Sequence, residues 1–206
     1  MPLYAVTDRA WLHGRTLAEV VEAALKGGVT CMQLREKELS HEEFLREAIA
    51  LRELCRKYNV PLIINDNVDV ALESHADGVH IGQHDAPCAE VRRRIGPEML
   101  LGVSAQTVEQ AIQAEKDGAD YLGVGAVFST GTKLDADDVS RETLRAICEA
   151  VSIPVVAIGG IKKENIGGLS GTGIDGVAVV SAIFAAADSE AASKELLETV
   201  QKELGV

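Results

Sequence analysis

The sequence predicts one (β/α)8 barrel, a single TIM-barrel domain over residues 1–206. Two observations carry this. Eight short apolar runs recur about every 20 to 30 residues, with mostly helix-like segments between them. Each run ends in polar, chemically able residues, and a closed parallel barrel gathers such residues on one rim, at the C-terminal ends of its strands. The 206 residues are near the lower limit for such a barrel and too few for a barrel plus a second domain.

The elements follow in order. LYAV ends at Thr7-Asp8. Thr16-Leu17-Ala18-Glu19 is a capping box, in which hydroxyl and carboxylate satisfy each other's backbone N–H groups; it opens a helix to about Lys26, closed by Gly27-Gly28. CMQL ends in Arg35-Glu36-Lys37. Ser40-His41-Glu42-Glu43 opens a long helix to about Tyr58, with Phe44, Ala48, Leu51, Leu54 and Cys55 at helical spacing. LII ends in Asn65-Asp66 and leads into a short helix over 68–73. GVHI ends in Gln83-His84-Asp85, before a short segment from Pro87 to Ile95. LLGV ends at Ser104, and Thr107-Val108-Glu109-Gln110 opens a helix running to Gly118. YLGVGAVF ends in Ser129-Thr130-Gly131-Thr132-Lys133. Ser140 caps the next helix, whose inner face is Leu144, Ile147 and Cys148. VVAI ends at Gly159-Gly160, before one to three turns from Asn165 to Ser170. GVAVV ends at Ser181, and the last helix runs from near Ser189 to about Leu204. An internal echo (GGVT at 27–30, HADGV at 75–79, DGADYLGV at 117–124, GIDGV at 173–177) leads into four of the strands. It reads as barrel architecture, a glycine-rich helix stop before a tight turn.

Composition narrows the function classes. The net charge of −12 argues against nucleic acid, which would meet repulsion. Small anionic substrates remain open, because Arg35, Lys37 and Lys133 fall at strand ends while much of the acid lies in helices. Hydrophobic content of 47% is ordinary, and aromatics at 3% leave a core of Val, Ile, Leu and Ala. Cys31, Cys55, Cys88 and Cys148 form no CxxC or zinc spacing, and three of them sit in apolar patterns as small hydrophobes. No apolar run approaches a membrane span, and no signal peptide precedes the first strand. A cytoplasmic protein, monomer or homodimer, is expected.

Several groups at the rim can do chemistry. Asp66 and Asp85 end neighbouring strands about 4.8 Å apart, so two carboxylates can share Mg²⁺, which favours one or two carboxylates plus substrate phosphate oxygens. The alternative is an N-cap for Asp66 and a turn residue for Asp85. Gln33, Arg35 and Lys37 alternate along an extended segment and face one way; they form either a phosphate-binding set or a solvated charged loop. Gly159-Gly160 and Val180-Ser181 follow the last two strands, where this fold often builds a phosphate site from backbone N–H groups; a tight turn is the alternative. The loop from Ser129 to Lys133 reads as an anion-holding lid or as an ordinary polar loop. Ser104 can hydrogen-bond a ligand, with no GxSxG to activate it as a nucleophile. His80, His84 and Asp85 suggest a transition-metal site only weakly, since the segment is strand and loop; core packing or surface exposure fits better.

Taken together, LYAVTD (3–8), QLREK (33–37), IINDNVDVA (63–71), ADGVHIGQHD (76–85), GVSAQT (102–107), ADYLGVGAVFSTGTKLDA (119–136), VVAIGGI (155–161) and GVAVVSAI (176–183) make the chain resemble the thiamine phosphate synthase family. The resemblance implies a (β/α)8 transferase that couples a hydroxymethylpyrimidine diphosphate to a thiazole phosphate, giving thiamine phosphate and pyrophosphate. Carried over by motif, Gln33, Leu34, Arg35, Glu36, Lys37, Asn65, Ser104 and Lys133 would hold the diphosphate substrate. Asp66 and Asp85 would bind Mg²⁺. Thr130, Gly131, Thr132, Gly160, Val180 and Ser181 would hold the thiazole phosphate. Arg35, Ser104 and Lys133 would be the catalytic groups. The chain departs from the family pattern at Asn67 (usually Arg), at Ala105-Gln106 (usually a small residue then His) and at Ser129 (usually Pro). The alternatives are a thiazole tautomerase on the same fold and a non-catalytic phosphate-ligand binding barrel. The tautomerase would be expected to lose some of the diphosphate and metal set and to use a His as proton carrier, and the binding barrel would not need Asp66, Asp85 and Lys133 together.

Overall fold

The computed structural model describes residues 1–12, 14–128 and 139–206. Eight parallel strands close into a barrel in sequence order: β1 (Leu3–Val6), β2 (Cys31–Leu34), β3 (Leu62–Asn65), β4 (Gly78–Ile81), β5 (Leu100–Ala105), β6 (Tyr121–Val124), β7 (Val155–Ile158) and β8 (Gly176–Val179). Around it lie α1 (Leu17–Lys26), α2 (His41–Lys57), α3 (Val68–Glu73), α4 (Cys88–Ile95), α5 (Val108–Lys116), α6 (Arg141–Ala150), α7 (Ser181–Phe184) and α8 (Ser189–Leu204). The expected barrel and its order of elements are both present.

Most strands are buried on both faces, as a helix-covered parallel sheet requires. Alternation along each strand sorts the side chains into two layers. Leu3, Met32, Leu34, Ile64, Leu101, Leu122 and Val177 pack outward into the helix-facing layer. Tyr4, Val6, Cys31, Ile63, Tyr121, Val156 and Ala178 fill the interior.

The helix starts follow from their caps. Thr16 and Ser40 form complete capping boxes with Glu19 and Glu43. Thr107, Ser140 and Asp188 each accept the N–H three residues on. Asn67, one of the departures from the family pattern, caps α3 by accepting from the Val70 N–H at 3.0 Å.

Two expectations change. The sixth apolar run does not stay in the sheet to Phe128. The chain leaves the ladder at Gly125, where a Cβ would lie 1.9 Å from the Ile158 carbonyl oxygen. Asn65 and Ser104 lie inside β3 and β5 rather than just beyond them. The segment after β7 is short as expected, one 3-10 turn over Ile166–Leu169, whose two central glycines disfavour a longer helix.

The sequence echo has a structural cause. The residue before each even-numbered strand clamps the start of the preceding odd-numbered one. Thr30 Oγ1 accepts from the Leu3 N–H, Asp77 from Leu62, Asp120 from Leu101 and Asp175 from Val155, at 2.7–3.0 Å. In each case the clamp residue's own N–H donates back to the carbonyl of the same partner. The clamps sit at the N-terminal end of the barrel, opposite the rim. That division leaves the other end free to carry chemistry.

Candidate active site

All eight strands run the same way, so the residues that follow them share one mouth. Thr7 joins the first two strand ends. Its N–H donates to the Gln33 carbonyl (2.9 Å), and its hydroxyl accepts from the Arg35 N–H (2.9 Å). This fixes the backbone from which residues 35 to 37 project.

The QLREK segment divides by alternation. Gln33 points into the barrel and is 5% exposed. Arg35 is half-buried, and among the described residues its guanidinium has no partner. Lys37 reaches across to β3, where its ammonium lies 2.5 Å from Asp66 Oδ2. Leu34 faces the other way, and Glu36 reaches toward Arg9 at the edge of the mouth. The Leu34 side chain is fully buried in the helix-facing layer, so it takes no part in the mouth. Glu36 pairs with Arg9, which also grips Glu47. Burial pushes the Glu36 carboxyl up from its ordinary range, against the lowering effect of Arg9. Glu36 nonetheless lines the cleft described below, so its carboxylate stays within reach of the mouth.

Asp66 takes a left-handed backbone conformation (φ 61°) at the end of β3. A non-glycine residue held there is uncommon, and such strain gathers at functional sites. Its N–H donates to the His80 carbonyl (2.8 Å), and its carboxylate accepts from Asn65 Nδ2 (2.7 Å) and Lys37. Asp66 is therefore not the N-cap of α3. Asp85 is exposed, and its Oδ2 accepts from the Gly82 N–H at 2.7 Å. A cleft of about 450 Å³ opens beside these groups, lined in part by Lys37, Asn65, Asp66 and Arg94. Asp66 lies one residue past β3, whereas Asp85 sits in the turn four residues past β4, the turn position that was its alternative; together they could hold a small hard ion completed by phosphate oxygens. His80 and His84 do not join them: His80 is buried inside the barrel, whereas His84 is exposed in the turn.

On the far side of the mouth, Gly159 (φ 103°) and Gly160 (φ 62°) turn the chain sharply after β7. A Cβ on Gly159 would lie 2.5 Å from Ala126, so only glycine fits. Asn165 holds the Gly160 carbonyl at 2.9 Å. Ser181 opens α7 directly after β8, with Val180 at its N-cap position. Thr130, Gly131, Thr132 and Lys133 lie outside the described residues, as does Ser129.

One feature at this site was not expected. A chain of hydrogen bonds crosses the barrel interior. Gln33 Nε2 donates to Tyr4 Oη (2.7 Å), Tyr4 Oη meets Tyr121 Oη (2.8 Å), Tyr121 Oη meets His80 Nδ1 (3.1 Å), and His80 Nε2 meets Ser104 Oγ (3.0 Å). Burial holds both phenols well above their ordinary pKa, so they stay protonated. Glycine makes room for this: a Cβ on Gly102 would lie 2.2 Å from the Tyr121 ring and 2.4 Å from His80 Nδ1. The available signal was glycine at the inward positions of LLGV and YLGV, between strands that carry His80 and Tyr121.

The profile of the thiamine monophosphate synthase family matches residues 3–183. The chain belongs to that family. It is 56% identical over 196 residues to the thiamine-phosphate synthase of Ruminiclostridium cellulolyticum, covering 95% of this chain and 93% of the relative. Against the thiamine-phosphate synthase of Clostridium botulinum it is 52% identical over 200 residues, covering 97% and 94%. The solved thiamine phosphate pyrophosphorylase of Pyrococcus furiosus superposes with a TM-score of 0.91 at 43% identity, covering 99% of this chain and 97% of that one. A 3-hexulose-6-phosphate synthase at 20% identity and a TM-score of 0.70 shares the fold alone. Family membership favours a synthase over the tautomerase and the binding barrel. Among the described residues, no helix is long and apolar enough to cross a membrane.

Proposed function

We infer that this chain is a transferase of thiamine biosynthesis that couples hydroxymethylpyrimidine diphosphate to thiazole phosphate, releasing pyrophosphate and giving thiamine phosphate. The observation that carries this is the family match over residues 3–183. The gathering of Gln33, Arg35, Lys37, Asn65, Asp66 and Ser104 at one mouth supports it. In this reading the protein is cytoplasmic and works as a monomer or homodimer on small molecules alone.

The reaction breaks the bond from the methylene carbon to the diphosphate oxygen and forms one from that carbon to the thiazole nitrogen. The amino group of the pyrimidine feeds electrons to the methylene, so the first bond can break well before the second forms. Catalysis then rests on placed charge rather than on a covalent nucleophile. Arg35, half-buried and without a guanidinium partner among the described residues, would hold the diphosphate by a bidentate fork. Lys37 would contribute a point charge while orienting Asp66. Asn65 and Ser104 would supply hydrogen bonds, and Lys133 would meet the departing pyrophosphate. Asp66 and Asp85 would hold Mg²⁺, which when bound neutralises charge on the leaving group. Gly160, Val180 and Ser181, with Thr130, Gly131 and Thr132, would hold the thiazole phosphate, largely through backbone N–H groups. A site of that kind needs little net positive charge, which suits a protein of charge −12.

The deciding assay is pyrophosphate release with both substrates and Mg²⁺ present. Release should require each of the three. Isomerisation of a thiazole without any release would favour the tautomerase, and binding without turnover would favour the non-catalytic barrel.

A further inference from the structure

We propose that Tyr4, Tyr121 and His80 are positioning residues that fix the hydrogen-bond polarity of the barrel mouth, making Gln33 an acceptor and Ser104 a donor toward substrate.

The inference comes from counting protons along the buried chain. Gln33 presents its amide nitrogen, not its oxygen, to Tyr4 Oη at 2.7 Å. Tyr4 therefore accepts there, and its one proton goes on to Tyr121 Oη, 2.8 Å away. Tyr121 has then accepted, and its own proton goes to His80 Nδ1 at 3.1 Å. With Nδ1 an acceptor, the imidazole proton sits on Nε2 and is donated to Ser104 Oγ at 3.0 Å. Every step follows from one O–H per phenol and one N–H on a neutral imidazole. Four of these side chains, Gln33, Tyr4, Tyr121 and His80, are at least nine-tenths buried, so water does not offer a substitute partner. Two groups are left over at the ends. Gln33 Oε1 has lone pairs to receive a hydrogen, and the Ser104 hydroxyl has a hydrogen to give.

On the functional reading above, which this inference rests on, an aminopyrimidine supplies both complements: N–H donors on its amine and acceptors in its ring nitrogens. An analogue with an oxo group in place of the amine turns the donor into an acceptor and opposes Gln33 Oε1. A site built to bond a particular polar group rejects the mismatched one strongly, because its own buried groups go unpaired. The chain thus selects the amino over the oxo pyrimidine without Tyr4, Tyr121 or His80 touching the ligand.

The test has a readout independent of turnover. Nitrogen NMR on the protein labelled at its five histidines reports which ring nitrogen carries the proton. His80 is identified by the signal lost in His80→Asn or, if that variant does not fold, by its through-space contact with the Tyr121 ring. The expected result is a proton on Nε2 and a bare Nδ1. A proton on Nδ1 would mean the chain runs the other way and would overturn the proposal, as would a doubly protonated ring at neutral pH. Tyr121→Phe removes the donor to Nδ1. It should lose the tautomer preference, raise the KM for the pyrimidine diphosphate about tenfold or more, and cut an amino-over-oxo discrimination of about 100-fold or more in the wild type. An unchanged tautomer and unchanged discrimination in a folded Tyr121→Phe protein would also overturn it. If the expected tautomer were found in a protein with no coupling activity, the functional reading would fail while the polarity stood.

Discussion

Gly102→Ala places a methyl group where Tyr121 and His80 meet. Its Cβ would lie 2.2 Å from Tyr121 Cζ, 2.3 Å from Tyr121 Oη and 2.4 Å from His80 Nδ1. Ordinary contact lies near 3.4–4 Å, so a ring fully enclosed in the core must move by about an ångström or break its bond to His80. Overpacking a filled core costs about 1–3 kcal/mol. A buried hydrogen-bonding group left unpaired adds about 1–3 kcal/mol. Taking the lower half of the two together gives about 3 kcal/mol, which for a chain of this size lowers the melting midpoint by roughly 6–12 °C. Calorimetric melts in matched buffer measure it, with Gly167→Ala as the control. At Gly167 the added Cβ lies 3.4 Å from the flexible tip of Glu203, so that variant should stay within about 1 kcal/mol of wild type. If the two variants melted within about 2 °C of each other, the interior chain would not be the tightly packed feature inferred from these distances.

Other outcomes follow from the same geometry. A chelator should abolish pyrophosphate release and added Mg²⁺ restore it, while Asp66→Ala and Asp85→Ala should each lower activity at fixed Mg²⁺; full activity of Asp66→Ala in metal-free buffer would exclude the metal role. Gly160→Val must force a branched side chain into φ 62°; titration calorimetry should find weaker thiazole phosphate binding and unchanged diphosphate binding. Asp77→Ala and Asp175→Ala each remove one strand clamp and should cost about 0.5–1.5 kcal/mol in urea titrations. Asp120→Ala should cost more, because Asp120 also pairs with Arg92, which is 18% exposed; equal costs at the three positions would count against that reinforcement. Burial lifts the Cys55 thiol to about 12 and those of Cys88 and Cys148 to about 11, and pushes Cys31 up as well. Few thiolates exist near pH 8, so a thiol reagent should label the native protein slowly and all four cysteines rapidly once it is unfolded.

The barrel was legible because it rests on local signals: apolar runs at a steady spacing and caps such as Thr16, Ser40 and Ser140 that announce helix starts. The rim residues were legible because a closed parallel barrel sends every strand end to one mouth. Two kinds of detail were not. Gly125 leaves the sheet for a reason of close approach that an apolar run does not display. The polar chain through the interior needs β1, β4 and β6 to face one another, and only closure brings them there. Treating QLREK as one block also hid its alternation, which sends Leu34 toward the helices and Glu36 toward Arg9.

The four clamps at the base repeat a single bond pattern every second strand, whereas the residues of the mouth do not repeat at all. The two ends of the molecule can therefore be inherited separately. A designer can keep Thr30, Asp77, Asp120 and Asp175 as an unchanged chassis and rewrite the loops above strand by strand. A new chemistry at the mouth then begins on a barrel that already holds itself closed.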